Sequence, residues 1–110
     1  MDQATPLEPV PEDWERCLAV VAHPDDLEFG ASCALARWTA QGKTVVEVLA
    51  TRGEAGIDGM APEEAARVRT EEQLASGAVV GASAVEFLDH PDGMRDGGLD
   101  LRRDIARAIR

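Results

Sequence analysis

The chain has 110 residues, of which 45% are hydrophobic and 29% are charged, and its formal net charge is −10. This size and composition predict one globular domain rather than a disordered chain. The negative charge argues against a nucleic-acid partner and against a polybasic membrane patch, because both need clustered Lys and Arg. The balance fits a soluble protein that acts on small molecules, or one whose acidity serves only to keep it soluble.

The two cysteines, Cys17 and Cys33, show no CxxC spacing and predict no disulfide framework. We expect both to be reduced thiols of a cytoplasmic protein. No basic segment followed by an apolar stretch opens the sequence, so no signal peptide is predicted. The longest apolar run, residues 18–22, is too short to span a bilayer.

Residues 1–16 form a predicted lead-in that is extended or mobile. Three prolines and five acidic residues give this segment little to bury and stop a helix from propagating through it. Trp14 is the residue of the lead-in that we expect to dock on the domain. The domain itself is predicted to cover residues 17–110.

The first part of the domain alternates between strand and helix patterns. Residues 17–22 are a continuous apolar run, as in a strand of a parallel sheet that is buried on both faces. Residues 26–41 carry apolar side chains at helical spacing, and Gly42 is typical of the residue after a helix end. Residues 45–50 predict a second strand, and the glycines of residues 51–60 predict a flexible loop.

The second part repeats this alternation. Pro62 begins a predicted helix that Gly81 ends, and residues 84–88 predict a third strand. A loop is predicted over residues 89–98, and a third helix over the apolar positions that begin at Leu101. The buried side of the helix that starts at Pro62 is predicted from seven apolar residues: Ala65, Ala66, Val68, Leu74, Ala75, Ala78 and Val79.

The order β-α-β-α-β-α predicts an α/β fold with a parallel sheet and right-handed crossovers. Three strands are half of the number in a usual doubly wound sheet. The last helix has no cap before Arg110, so we interpret the chain as either a minimal domain or the N-terminal half of one. A sheet of three strands would leave an unpaired edge and exposed apolar surface. Such a surface is compatible with a homo-oligomer.

Residues suited to chemistry follow each predicted strand. In open α/β sheets, ligands bind outside the carboxyl ends of the strands, so these residues are predicted to meet at one edge. The three groups, in strand order, are His23, Asp25 and Asp26; Thr51, Arg52 and Glu54; and Asp89, His90 and Asp92.

The His23-Pro24-Asp25-Asp26 turn has the composition of a metal site. His23 and Asp26 offer a nitrogen and an oxygen ligand of the kinds that zinc binds, and Pro24 stiffens the turn. Asp25 would point elsewhere and could take a proton from a metal-bound water. A catalytic zinc has three protein ligands and one open position, so the turn supplies two ligands and a base.

Other interpretations of these residues stay open at this point. Asp25 followed by Glu28 also has the form of a helix capping box. His90 is a candidate third ligand, although strand three lies two strands from strand one in a 3-2-1 order, a gap of about 10 Å. Residues 89–93 equally have the composition of an ordinary turn.

Two arginines are further candidates. Arg69 lies on a predicted helix near Glu64 and Glu72, where a solvated face with i,i+3 ion pairs is the simpler interpretation. Arg52 lies in a glycine-containing loop at a strand end and is better placed to meet a substrate. Glu54, in the same loop, is an alternative partner for Arg52.

The segment Ala22-His23-Pro24-Asp25-Asp26-Leu27-Glu28-Phe29-Gly30 resembles the AHPDDxExG signature of the LmbE/PIG-L deacetylase family. The resemblance extends over about residues 17–110. Four further segments are similar to family motifs: residues 49–56, 69–72, 79–82 and 87–93.

The resemblance implies a zinc-dependent hydrolase with a Rossmann-like three-layer sandwich fold. Members of this family remove acetyl groups from N-acetylglucosamine-type substrates, and some relatives are amidases. The family's first two zinc ligands fall on His23 and Asp26, and its general base falls on Asp25. Arg69 and Asp92 match residues on the substrate side. The implied cofactor is Zn²⁺ or another divalent metal, and the implied partner is a small amide or amino-sugar substrate.

The sequence departs from the family pattern in two places. Ala31, Ser32 and Cys33 stand where the family usually has more glycine. The family's third zinc ligand belongs to a downstream histidine-rich segment that has no match before Arg110, and His90 does not correspond to it. We therefore expect the N-terminal part of a deacetylase. The alternatives are a catalytically incomplete metal- or sugar-binding module and an amidase.

Overall fold

A computed structural model of the chain describes residues 6–93 and 98–110. Residues 1–5 of the predicted lead-in and residues 94–97 of the predicted loop lie outside this description. Within the two described ranges, no helix is long and apolar enough to cross a membrane. The elements are β1 (Arg16–Val21), α1 (Asp26–Gly30), α2 (Ser32–Ala40), β2 (Thr44–Leu49), α3 (Pro62–Val80), β3 (Ala84–Phe87) and α4 (Gly98–Ile109).

The three strands form one parallel sheet in the order β1-β2-β3. The register places Arg16 of β1 opposite Thr44 of β2, and Val46 of β2 opposite Ala84 of β3. The prediction of an α/β fold with a parallel sheet is confirmed, and so is the predicted strand order. Because β2 is the central strand, its carboxyl end lies between those of the other two and joins the residues that follow them.

The hydrophobic core centres on β2 and the two short helices that follow β1. Val45 of β2 contacts Leu27 of α1 and Leu35 of α2, and all three side chains are buried. Half-buried apolar side chains pack around them: Cys17, Ala19, Val21, Ala31, Trp38 and Val80. The core therefore fixes α1, and with it the turn between β1 and α1, against the centre of the sheet.

The single helix predicted over residues 26–41 is wrong, since the structure has two helices there. They meet at Ala31, whose φ of −140° is not helical. Gly30 precedes the break, and glycine is a poor helix former. The apolar spacing continues across the break because Leu27 and Leu35 both face the core, so the pattern gave no sign of it.

The buried face predicted for α3 is also wrong in part. Of the predicted residues, Ala65 is buried, but Leu74 is 48% exposed and Val79 is 85% exposed. Gln73 and Gly77 are buried instead, four residues apart and in line with Ala65. Positions four apart share one helix face, so the buried face of α3 includes a polar residue, Gln73, and is not purely apolar.

The segment before β1 contacts α2 although residues 6–14 form no helix or strand. Glu12 accepts hydrogen bonds from Arg37 Nε at 2.7 Å and from Trp38 Nε1 at 3.1 Å. The Arg37 guanidinium beside it lowers the pKa of Glu12 to about 2. Trp14 packs edge to face on Trp38, with ring centroids 4.9 Å apart, so Trp14 docks as expected.

Candidate active site at the carboxyl ends of the strands

A cleft of about 730 Å³ opens beside the turn between β1 and α1. Five predicted site residues line it: His23, Asp25, Asp26, Arg69 and Asp92. Four of the other candidates line a separate cavity of about 280 Å³: Arg52, Glu54, Asp89 and His90. The structure thus brings together residues from the ends of β1 and β3 and from the middle of α3.

Thr51, which follows β2, fixes the start of the turn. Its backbone N–H and its hydroxyl each donate a hydrogen bond of 3.0 Å to the carbonyl oxygen of Ala22. The Thr51 hydroxyl also accepts the backbone N–H of Gly53 at 3.1 Å. These bonds join the chain after β1 to the chain after β2. They fix the backbone of Ala22, the residue directly before His23.

His23 and Asp26 form the first contact within the cleft. The carboxylate oxygen Oδ2 of Asp26 accepts the backbone N–H of His23 at 2.9 Å and lies 3.6 Å from His23 Nδ1. Both side chains are about half exposed. The turn therefore presents an imidazole and a carboxylate side by side to the open space of the cleft.

Asp92 approaches the same imidazole from the loop after β3. Its Oδ1 lies 3.1 Å from His23 Nε2, and its other oxygen accepts the backbone N–H of Ala55 at 2.8 Å. The backbone N–H of Asp92 donates to Glu54 at 3.0 Å. Asp92 is consequently held by the loop after β2, and it closes one wall of the cleft.

The positions of His23 and Asp26 fit two ligands of one metal ion. Two ligands at tetrahedral angles on a zinc ion lie about 3.4 Å apart. The 3.6 Å between His23 Nδ1 and Asp26 Oδ2 is close to that separation. Among the residues that the structure describes, no group of three His, Cys, Asp or Glu side chains could hold a metal ion. The described part of the chain therefore supplies a pair of donors.

Asp25 has an unusual backbone conformation. Its φ of 81° and ψ of −18° place it in the left-handed region, which aspartate tolerates better than most residues. Although Asp25 occupies the N-cap position of α1, its side chain makes no capping hydrogen bond, so the capping-box hypothesis is wrong. Its carboxylate is 53% exposed and lines the cleft.

Arg69 of α3 is not on a solvated face, contrary to the simpler interpretation of the sequence. Its side chain is only 13% exposed. The guanidinium donates to the carbonyl oxygens of Gly53 and Pro24, both at 2.9 Å, and to Asp25 Oδ2 at 3.4 Å. It therefore connects α3 to the loop after β2 and to the turn that carries Asp25.

Two glycines of the loop after β2 make room for this guanidinium. A Cβ atom at Gly53 would lie 2.6 Å from Arg69 Nη1, and one at Gly56 would also collide with that atom. Gly53 in addition has a φ of +67°, which favours glycine. Two of the three glycines that predicted a flexible loop are thus explained by close packing against Arg69, and Gly59 is not.

Gln73 and Glu47 are the functional candidates that the sequence analysis missed. Gln73 Oε1 accepts the backbone N–H of Asp25 at 3.3 Å, and Gln73 Nε2 donates to Glu47 Oε1 at 2.9 Å. Each residue is only 1% exposed. The one signal in the sequence was Glu47 itself, a charged residue inside the otherwise apolar run of residues 45–50.

Arg52 is held away from the cleft. It forms an ion pair with Asp89, donates to the Thr70 hydroxyl at 2.9 Å and lies over the Phe87 ring at 4.3 Å from the centroid. Glu54, the alternative partner considered for Arg52, instead accepts from the backbone of Asp92. Arg52 thus stabilises the start of the loop after β3 through its ion pair with Asp89.

His90 lies outside the cleft as well. Its Nε2 is 2.7 Å from an Asp104 carboxylate oxygen of α4, and its backbone N–H donates to the carbonyl oxygen of Ala50. These contacts join α4 to the sheet. Within residues 89–93, the structure has a turn at residues 92 and 93.

The buried carboxyl of Glu47 predicts a pH dependence of stability. Burial raises its pKa above the ordinary value of 4.5, and the Glu28 charge raises it further, against the lowering effect of Gln73. The folded state then binds this proton more tightly than the unfolded chain does. As the pH rises from 4.5 through the folded pKa, the free energy of unfolding should fall by at most about 1.4 kcal/mol per pH unit.

Urea denaturation at a series of pH values, compared with Glu47→Gln, measures this effect. The variant keeps the size of the side chain and loses its titration. Its stability relative to the wild type should be constant below pH 4.5 and should rise above it. Parallel pH profiles for the two proteins would contradict the assignment of a raised pKa to Glu47.

A sequence model of the PIG-L family, described as GlcNAc-PI de-N-acetylase, matches residues 18–110. The chain belongs to the PIG-L family. Its matched region begins inside β1 and includes every residue that lines the cleft.

One curated relative is the 1D-myo-inositol 2-acetamido-2-deoxy-alpha-D-glucopyranoside deacetylase of Kineococcus radiotolerans. It is 38% identical over 92 residues, which cover 76% of this chain and 26% of the relative. The chain therefore spans about a quarter of the length of this relative.

Two solved structures share the fold. N,N'-diacetylchitobiose deacetylase from Pyrococcus horikoshii gives a TM-score of 0.84 at 24% identity, over 90% of this chain and 38% of that one. The 4-carboxy-2-hydroxymuconate hydratase GalB from Pseudomonas putida gives 0.78 at 27% identity, over 87% and 42%. Because one is a deacetylase and the other a hydratase, the fold alone does not determine the reaction.

Proposed function

We propose that this PIG-L chain provides the metal-binding turn and the general base of an N-deacetylase that acts on N-acetylglucosaminyl-type substrates. The observation that carries the proposal is the conformation of Asp25. Its left-handed backbone leaves the carboxylate without a capping role and exposed in the cleft, next to the donor pair His23 and Asp26. A carboxylate placed in this way is suited to proton transfer.

His23 and Asp26 are the proposed ligands of Zn²⁺ or another divalent metal. The support is their 3.6 Å separation and their exposure to the same cleft. When bound, the metal supplies Lewis-acid polarisation of the substrate carbonyl. The third ligand in this proposal lies outside the described residues, among which no group of three donors occurs.

Asp25 is the proposed general base. It takes a proton from the attacking water as the water oxygen bonds to the acetamide carbon. It then returns that proton to the amine nitrogen as the carbon–nitrogen bond breaks, which yields acetate and a free amine. Arg69, 3.4 Å from Asp25 Oδ2, keeps the carboxylate turned toward the cleft throughout.

The walls of the cleft suggest how the substrate is held. Its volume of about 730 Å³ lies in the range of small-molecule sites. Asp92 and Arg69 offer a charged acceptor and charged donors for sugar hydroxyls, the roles that the family resemblance also implies. Arg52 is given no substrate contact here, because it lines the other cavity and pairs with Asp89.

The proposal is tested with the full-length protein, including any residues encoded beyond Arg110. The zinc-loaded protein is incubated with N-acetylglucosaminides that differ in their aglycone and with simple N-acetyl amines. We expect acetate and free amine in equal amounts from at least one N-acetylglucosaminide. Zinc binding without acetate from any substrate would reject deacetylation and favour the metal- or sugar-binding module. Acetate from the simple amines alone would favour an amidase.

A further inference from the structure

We propose that Gln73, oriented by Glu47, is a positioning residue that fixes the direction of the Asp25 carboxylate by holding the peptide bond between Pro24 and Asp25. This inference rests on the proposed function, in which Asp25 is the general base. Gln73 and Glu47 do not line the cleft. They act through the backbone of the turn rather than on the substrate.

The peptide bond between Pro24 and Asp25 is held at both of its polar ends. Its carbonyl oxygen accepts Arg69 Nη2 at 2.9 Å, and its N–H donates to Gln73 Oε1 at 3.3 Å. Arg69 and Gln73 are four residues apart and share one face of α3. A rotation of this peptide plane would break both hydrogen bonds, so the two side chains together determine its orientation.

The orientation of this peptide matters because Asp25 is in the left-handed region. A residue with a side chain avoids that conformation unless its surroundings impose it. The direction of the Cα–Cβ bond, and hence of the carboxylate, follows from the φ and ψ angles of Asp25. Gln73 and Arg69 therefore impose the conformation that keeps the carboxylate in the cleft.

Glu47 determines which end of the Gln73 amide faces the turn. A glutamine amide has nearly the same shape when its oxygen and nitrogen are exchanged, so its partners decide between the two orientations. Glu47 Oε1 accepts from Gln73 Nε2 at 2.9 Å, and this leaves Oε1 for the N–H of Asp25. Both side chains are 1% exposed, so water does not compete for these bonds.

Three variants of the full-length zinc-loaded protein test the inference. Gln73→Met keeps the length of the side chain and removes both hydrogen bonds. Glu47→Gln keeps an acceptor oxygen but adds a donor, so residue 47 no longer selects one orientation of the Gln73 amide. The double variant Glu47→Gln with Gln73→Glu exchanges the two side chains: the new carboxylate accepts from Asp25 N–H and from the new amide, so both bonds are restored.

For Gln73→Met we expect kcat to fall by about 10- to 100-fold, because a general base displaced by about 1 Å loses much of its effect. KM and the zinc dissociation constant should stay within about threefold, since neither Gln73 nor Glu47 contacts the cleft. The exchanged pair should stay within about threefold of the wild-type kcat, whereas kcat of Glu47→Gln should lie between those of the wild type and Gln73→Met, because an amide at residue 47 can pair with either end of the Gln73 amide. A role in packing alone would leave kcat of Gln73→Met unchanged.

Hydrogen exchange of the Asp25 amide, measured by NMR, gives a readout that needs no activity. Gln73→Met should speed this exchange about tenfold, and the exchanged pair should restore it. An unchanged exchange rate in Gln73→Met, or an exchanged pair no better than Gln73→Met, would overturn the inference. If the wild type released no acetate, the proposed function would be rejected. The hydrogen-exchange rates of the Asp25 amide would still show whether Gln73 holds its N–H. If Gln73→Met did not fold, the exchanged pair would be compared with the wild type instead: an equal exchange rate would support the inference, and a rate about tenfold faster would overturn it.

Discussion

Asp25→Asn is expected to lower kcat by about 10²- to 10⁴-fold, the range that a positioned general base contributes. Asparagine has the same size and also tolerates the left-handed conformation that residue 25 adopts. It keeps the backbone N–H that Gln73 accepts, so the turn should stay intact. What the variant loses is the carboxylate that takes the proton in the proposed mechanism. The measurements are kcat for acetate release and the zinc dissociation constant, which should stay within about threefold.

Asp89→Asn is the matched control for this variant. Asp89 is the other described residue besides glycine with a positive φ, at 61°, and it too follows a strand. It pairs with Arg52 and lies outside the cleft. We expect kcat of this variant within about twofold of the wild type. An Asp25→Asn protein with full activity would show that the proton is taken elsewhere and would remove Asp25 from the mechanism.

His23→Ala is expected to weaken zinc binding by more than about 100-fold, because loss of an outer-shell partner alone costs about 10- to 100-fold. His23 supplies one of the two donors that lie 3.6 Å apart in the cleft, and Asp26 alone offers a single carboxylate. The measurement is a calorimetric zinc titration of the full-length protein after chelator treatment. Acetate release should disappear with the chelator and return with zinc.

His90→Ala is the matched control, since both histidines precede a Pro-Asp pair in the sequence. His90 pairs with Asp104 and lines the other cavity, so its loss should leave the zinc affinity within about twofold. If His90→Ala weakened zinc binding as much as His23→Ala, the proposed ligand set would be wrong. If the wild type took up no zinc, the metal-binding role of this turn would be rejected.

The alternation of strands and helices could be predicted from the sequence because it depends on long apolar runs and on local signals. Pro62 and Gly81 each have a preferred place at a helix end, and both were found there. The gathering of His23, Asp25 and Asp26 with Asp92 followed from a rule of topology, since parallel strands end at one edge. These features need no knowledge of side-chain partners.

The features that the sequence analysis missed depend on such partners. Apolar periodicity assumes that buried positions are apolar, but Gln73 and Glu47 are buried because they satisfy each other's hydrogen bonds. The capping-box hypothesis failed for a similar reason. Asp25 and Glu28 have the required spacing, but the left-handed backbone of Asp25 takes its carboxylate away from the helix end.

Arg69 contacts the loops beside the cleft mainly through backbone atoms, the carbonyl oxygens of Pro24 and Gly53. Carbonyl oxygens are the same in every residue, so these two bonds tolerate changes in most of the neighbouring side chains. Apart from Thr51 and Glu54, whose own side chains make hydrogen bonds, the loop after β2 can therefore vary in sequence while Arg69 continues to hold the Asp25 carboxylate. Gly53 and Gly56 cannot vary freely either, because a side chain there would displace the guanidinium.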